Sequence, residues 1–383
     1  MARESIPSTA SLVAALQPFV DDQTMAGAVV LAASKDKILA LEAVGWSDLA
    51  ARKPMAVDDF FWIASMTKAM TAAAVMMLVD EGRVNVDDPV EKYLPEFKGQ
   101  VVVEKDQPPR PPSHPIRIRE ILSNTGGLPF RSEIEQGTLD RLPVAEAVAS
   151  YAKTPLLSDP GTAYLYSNAG FNTAARTIEV VSGLAYERFL QERLFDPLGM
   201  SETTFWPSAA QLRRLAKSYQ GKEGAVGLHE FPFEQLTYPL DDRTKRFPMA
   251  AGGLFSPAID VAKFCQMFLN DGVYQGRRLL SVAAIRRMTT PETIQGGKVN
   301  YGFGFSVDDH GGYAHGGALK TFMSVDPARE LVLVFLIQQG GRWGTSEERG
   351  TEVMPAFIKA AQALAGGPAS DTTIRIEGQG SPR

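Results

Sequence analysis

Trp62-Ile63-Ala64-Ser65-Met66-Thr67-Lys68 leads out of a short apolar run into Ala69-Met70-Thr71-Ala72-Ala73-Ala74-Val75-Met76-Met77-Leu78-Val79, and the join falls at Ser65. The second part is rich in Ala and Met and lacks Gly and Pro. It predicts a largely buried helix from Ser65 to Asp80, with Gly82 as the cap just past its end. A helix N-terminus carries partial positive charge and free N–H groups. A serine there can attack a carbonyl with its own N–H aimed at the developing oxyanion. Lys68, three residues on, shares its face and can touch it. A lysine buried among Met and Ala loses hydration, so its pKa should fall and a neutral amine can activate the hydroxyl. A serine cap with a lysine stretched to solvent has the same spacing, so the motif needs its context.

The chain holds three Ser-x-x-Lys motifs, and context separates them. Ser34/Lys37 falls in the turn of a predicted hairpin, where both side chains would be solvated. Ser150/Lys153 falls near the end of a helix, just before Thr154-Pro155. Only Ser65/Lys68 stands where an apolar run meets a buried helix.

Two further segments carry chemistry. Tyr166-Ser167-Asn168 is the chain's one Tyr-x-Asn, between Asp159-Pro160-Gly161-Thr162 and a helix beginning near Ala169. A phenol on such a loop can shuttle a proton if nearby cations lower its pKa. Asn168 can hold Lys68 or a substrate carbonyl, or simply cap the helix. His315-Gly316-Gly317 closes a predicted strand. Its glycines let a substrate backbone approach the strand edge, and the Ala318 N–H is the natural oxyanion donor opposite that of Ser65.

These segments together resemble the serine β-lactamase and penicillin-binding protein superfamily. They look most like the class C β-lactamases and their esterase relatives, the family VIII carboxylesterases. The resemblance runs from about Met25 to Ala365. It also rests on Ile121-Leu122-Ser123-Asn124-Thr125-Gly126-Gly127-Leu128-Pro129, Pro197-Leu198-Gly199-Met200 and Ala251-Gly252-Gly253-Leu254-Phe255-Ser256, in the family's order and spacing. It implies Ser65 as the acylated nucleophile, with Lys68 and Tyr166 sharing proton transfer; which of them is the base stays open. It also implies neither a metal nor an organic cofactor, and the candidate oxyanion and substrate-binding residues are Ser65, Asn168, His315, Gly316, Gly317 and Ala318. One departure stands out. The family's lactamases and peptidases usually carry Lys-Thr-Gly or Lys-Ser-Gly at the third segment, where lysine and hydroxyl help bind the substrate carboxylate. Here the residues are His315, Gly316 and Gly317, and an unperturbed histidine is mostly neutral at pH 7. Esters are therefore expected over lactams. A β-lactamase or D-alanyl-D-alanine peptidase working through the same residues is the second reading, and a non-turnover acyl-binding sensor the third.

The rest of the chain frames this site. Ala26 to Ala33 and Ile38 to Val44 read as a hairpin around Ser34-Lys35-Asp36-Lys37. Residues 8–20, 143–152, 169–182 and 184–194 read as helices. Gly302 to Val307, Gly311 to His315, Phe322 to Val325 and Leu331 to Leu336 read as successive strands, followed by a helix from about Ser346 to Leu364 and a polar tail after Gly366. The expected fold class is α/β (α+β), β-lactamase/transpeptidase-like: an antiparallel sheet formed by the N- and C-terminal segments and flanked by helices, plus a mostly helical inserted domain. The expected division is 1–60 with 250–383 against 61–249, with Ser65 at the interface.

Composition sets the partners. Net charge is −5 with no Lys/Arg run, so nucleic acid is not an expected partner. No stretch reaches a membrane span, and Met1 to Pro7 does not open a signal peptide, which makes the cytoplasm the expected location. Cys265 stands alone in an apolar run and reads as a buried, inert thiol. No Gly-x-Ser-x-Gly, zinc-spaced His pair or phosphate loop is present; His114, His229 and His310 read as isolated loop or surface residues. The expected partner is a small ester or lactam, and the sequence fixes no oligomeric state.

Overall fold

The computed structural model describes residues 11–104 and 107–365. The start Met1–Pro7, the first residues of the predicted 8–20 helix and the tail from Gly366 lie outside the described residues.

Strand β1 (Gly27–Ala33) is apolar at every position and buried at every position. Successive side chains on a strand face opposite ways, so such a strand needs cover on both faces. Val29, Leu31 and Ala33 point into the larger core, which they share with the Ala- and Met-rich helix after Ser65. Ala28, Val30 and Ala32 point into a second core with Leu12, Leu16, Phe19, Phe335 and Phe357. The layers follow: helices α1 (Leu12–Asp21) and, near the other end, α6 (Val353–Leu364) cover one face, and the bulk of the helices covers the other.

The sheet has seven strands. β1 pairs antiparallel with β2 (Ile38–Asp48), which pairs with the short β3 (Lys53–Pro54). The remaining strands come from the distant part of the chain: β4 (Ser306–Val307), β5 (Tyr313–Gly316), β6 (Phe322–Asp326) and β7 (Leu331–Leu336). The spatial order is β4-β5-β6-β7-β1-β2-β3. The two chain regions meet at β1 and β7, in the register Val29↔Leu336 to Ala33↔Val332. The mixed α/β class with an antiparallel sheet built from both terminal segments is thus what the chain forms.

Between β3 and β4 lie α2 (Thr67–Asp80), α3 (Val144–Tyr151), α4 (Asn168–Ser182) and α5 (Ala258–Leu269). α5 packs on β1, β6 and β7, and α2 packs on α4. Two predicted boundaries move. The helix expected from Ser65 begins at Thr67, after a 3-10 turn over Ala64–Met66. The strand expected from Gly302 shrinks to Ser306–Val307. Gly302 presses on the carbonyl of Met288, and Gly304 takes a left-handed φ of +75°. A Cβ at Gly304 would lie 2.9 Å from the carbonyl oxygen of Lys68. The segment therefore turns against α2 instead of extending. Among the described residues no helix is long and apolar enough to cross a membrane.

Candidate active site

From Asp59 to Leu78 every residue is buried except Ser65, which is half-buried. The backbone explains how one residue of a core segment reaches the surface. Ala64 is held at φ +45°, a left-handed conformation that is strained for a residue with a Cβ. Its neighbours hold it there. The Ile63 N–H donates to Leu254 O at 3.0 Å. Thr67 Oγ1 donates to Ala64 O at 2.7 Å and accepts from the Leu254 N–H at 3.2 Å. The indole of Trp62 donates to Gly252 O at 2.7 Å. The strained turn swings Ser65 outwards at the entry to α2.

Lys68 is fully buried, in the first turn of α2. Its Nζ donates to Ser65 Oγ (3.2 Å), Asn168 Oδ1 (2.8 Å) and Ala251 O (2.6 Å). It also lies 4.6 Å from the ring centre of Tyr166 and 5.6 Å from that of Phe171. Its acceptors are neutral, and desolvation pushes its pKa well below that of a free lysine. Tyr166 is half-buried, and its phenol interacts with the Ser65 side chain. The cation-lowered phenol expected from the sequence is not found: burial raises the Tyr166 pKa, and the Ser65 hydroxyl offsets this only in part. At neutral pH the pair is an amine shifted towards its neutral form beside an un-ionised phenol.

Asn168 is free to meet Lys68 because it does not cap its helix. Ser167 does so instead, its Oγ accepting from the Gly170 N–H at 3.1 Å. The two other Ser-x-x-Lys pairs lie elsewhere. Ser34 donates to Asp36 at 3.2 Å in the hairpin turn, and at the end of α3 Ser150 donates to Ala147 O at 2.6 Å with its Oγ 2.7 Å from that of Ser132.

The third segment comes close by a tight packing. A Cβ on Gly317 would lie 2.7 Å from Ile63 O and would strike Thr321 Oγ1. This glycine therefore lets the strand end sit on the Ala64 turn, a role beyond the substrate access expected of it. Gly316 pairs with Phe322 across the sheet, and Ala318 is exposed. His315 is buried with both ring nitrogens engaged: Nδ1 with Gly316 O at 2.7 Å and Nε2 with the Tyr301 hydroxyl at 3.1 Å. Nδ1 carries the proton, since a carbonyl can only accept. Desolvation, helped by the nearby Lys68 charge, pushes the His315 pKa down to about 3, so the ring is neutral at any ordinary pH. Lys320 turns away, donating to Gly341 O at 2.9 Å and lying 5.2 Å from the Trp343 ring centre.

Other histidines and the cysteine fall as follows. His114 is less isolated than expected: its Nε2 lies 2.7 Å from buried Glu120 and its Nδ1 3.1 Å from Ser113. Cys265 is buried, and desolvation raises its thiol pKa, as an inert core cysteine requires. Among the described residues no group of three or more His, Cys, Asp or Glu side chains could hold a metal ion.

Sequence reasoning missed the Ala251 carbonyl, which has no residue-type signal, and Gly304, whose contact with α2 is long-range. It also missed Asn172, four residues after Asn168, which accepts from the Ala251 N–H at 3.3 Å.

An α/β fold that brings serine, buried lysine and tyrosine together defines a class, the hydrolases of the serine β-lactamase and penicillin-binding protein superfamily. The chain belongs to its Beta-lactamase family, whose profile matches residues 12–353. Protein Rv1367c of Mycobacterium tuberculosis is 30% identical over 361 residues, covering 85% of this chain and 88% of its own. Simvastatin synthase (LovD) of Aspergillus terreus superposes with a TM-score of 0.76 at 20% identity, covering 93% of this chain and 97% of that one. EstCE1, described as a hydrolase with promiscuous acyltransferase activity, superposes at 0.73 and 21% identity with the same coverages.

Proposed function

We propose that the protein hydrolyses short-chain carboxylic esters through an acyl-enzyme on Ser65. The observation that carries this reading is the third segment. A substrate carboxylate would meet no cation there, because His315 is neutral, buried and bonded internally, and Lys320 points elsewhere. An uncharged ester needs no such cation. The likeness to EstCE1 agrees with acyl chemistry of this kind.

In this reading Ser65 Oγ attacks the ester carbonyl and its proton passes to neutral Lys68. Lys68 rather than Tyr166 is the base, since burial favours the uncharged form of each group and only the uncharged lysine can accept a proton. The oxyanion accepts from the N–H groups of Ser65 and Ala318. In support, no backbone carbonyl among the described residues takes either N–H, and Gly317 packs beside Ala64. The C–O bond to the alcohol breaks. Tyr166 gives its proton to the departing alkoxide and regains one from Lys68. Water then attacks the acyl-enzyme, with the same groups taking its proton and returning one to Ser65. Asn168 orients Lys68, and His315 props the strand end without touching substrate.

The test is turnover of p-nitrophenyl butyrate and of a chromogenic cephalosporin by wild type and Ser65→Ala. Fast ester turnover, slow lactam turnover and loss of both in the variant are the expected results. Fast lactam turnover would make the protein a β-lactamase, and a burst without turnover an acyl-binding sensor.

A further inference from the structure

A chain of buried polar groups ends on the backbone N–H of Ala251, whose carbonyl, one peptide unit further on, accepts from Lys68. Starting from Lys68, Ala251 O accepts from its Nζ, and the Ala251 N–H donates to Asn172 Oδ1. Asn172 Nδ2 donates to the Tyr151 hydroxyl at 3.0 Å, and that hydroxyl donates to Glu135 Oε1 at 2.6 Å. Glu135 Oε2 accepts from the Ser132 N–H at 2.8 Å. Asn172, Tyr151 and Glu135 are all buried.

The polarity of the chain is fixed from one end. A backbone N–H can only donate, so the oxygen of Asn172 must face Ala251 and its NH2 must face Tyr151. The Tyr151 oxygen then accepts, and its own proton must go to Glu135. The other end of the same peptide unit is also held: Ala250 O accepts from Thr71 Oγ1 at 2.8 Å. The 250–251 peptide is thus pinned by α2 on one side and α4 on the other. Asn168 and Asn172 stand one turn apart on α4. The first touches Lys68 directly, and the second holds the peptide unit just before the Ala251 carbonyl that also touches it.

We infer that Asn172, backed by Tyr151 and Glu135, is a positioning residue that orients the Ala251 carbonyl and through it the amine of Lys68. Burying these polar groups is tolerable only when each is satisfied, which makes the chain rigid. Its product is a lysine aimed at Ser65 Oγ, and reactivity falls steeply when such aim is lost. The titratable groups facing Lys68 are Tyr166 and, behind the strand end, His315; neither lies on this chain. The inference rests on the catalytic reading of Ser65 and Lys68, and the experiment separates the two.

Wild type, Asn172→Leu and Tyr151→Phe would be treated with an alkyl fluorophosphonate. Labelling of Ser65 would be followed by mass spectrometry from pH 5 to 9, with thermal unfolding alongside. Absence of label on wild-type Ser65 overturns the catalytic reading itself. With wild type labelled, Asn172→Leu is expected to react roughly 10- to 100-fold more slowly. Its acid limb should move to lower pH, because an ammonium that has lost a carbonyl acceptor gives up its proton more readily. Tyr151→Phe removes one hydroxyl and should shift rate and limb in the same direction by less. It also stands in if Asn172→Leu does not fold. A folded variant with the wild-type rate and an unmoved limb overturns the inference, since a merely structural brace would alter the unfolding temperature alone.

Discussion

Ser65/Lys68 and Ser150/Lys153 are the same motif on helices of the same chain, and they share almost nothing else. Lys68 has no exposed surface and Lys153 stands in solvent. Ser65 lies where α2 begins, at the positive end of the helix. Ser150 lies in the last turn of α3, its hydroxyl already bonded to Ala147 O and Ser132. In the proposed mechanism reactivity comes from an amine desolvated among neutral acceptors, beside a hydroxyl that a strained turn has pushed outwards. Spacing supplies only the contact.

The sharpest way to break that contrast is to remove each lysine. Lys68→Ala should lower ester turnover by roughly 10²–10⁴-fold, as expected for loss of a general base. Lys153→Ala should leave both turnover and unfolding unchanged. Equal effects in the two variants would sink the contrast.

Burial can also serve stability alone, and Arg246–Asp140 is the test of that. Both side chains are buried, with Arg246 Nε 2.5 Å from Asp140 Oδ2 and the guanidinium also donating to Phe205 O at 2.9 Å and to Leu240 O. Asp140→Ala strands a buried cation and should cost about 3–5 kcal/mol in urea unfolding. Asp140→Leu with Arg246→Met should recover most of it. Gly317→Ala should cost less, about 1–3 kcal/mol, and should slow turnover as well, because the added methyl separates the strand end from the Ala64 turn.

The smallest effect is one of pH. In the folded state Lys68 holds its proton less tightly than in the unfolded chain. The unfolded state therefore binds more protons between the lowered pKa and 10.5, and stability rises with pH across that window. The Tm of wild type minus that of Lys68→Met should grow from pH 7 to pH 10; a constant difference would mean that Lys68 is not desolvated as described. His315 shows the same sign lower down: the stability tied to its neutral ring is present above about pH 6.5 and lost as pH falls towards about 3.

Legibility in the sequence followed the range of the interactions. Ser65 and Lys68 could be read because their chemistry sits on side chains one turn apart. β1 could be read as a hairpin strand from its continuous apolar run, while the cover on both its faces comes from distant segments. Asn168 was legible as a residue but not as a role, since a Ser167 cap and an Asn168 cap look alike until the chain turns. The Ala251 carbonyl could not be read at all, because every residue has one and only the fold chooses which meets Lys68. Residues 302–305 looked like strand because Phe303 and Phe305 alternate with small residues. Gly304 fits closely against α2, a contact that no local pattern encodes.

The pairing of β1 with β7 has a consequence in time. The edge Val29-Val30-Leu31 leaves the ribosome with β2 but without β7, some 300 residues behind it in the chain. At translation speeds of about 5–20 residues per second, that edge waits roughly 15–60 s for its partner. An apolar strand edge exposed for that long is a template for joining other nascent chains. Synthesis of this protein therefore places a demand on whatever shields unfinished chains, and slowing translation before residue 331 should lower soluble yield more than the same delay placed after residue 336.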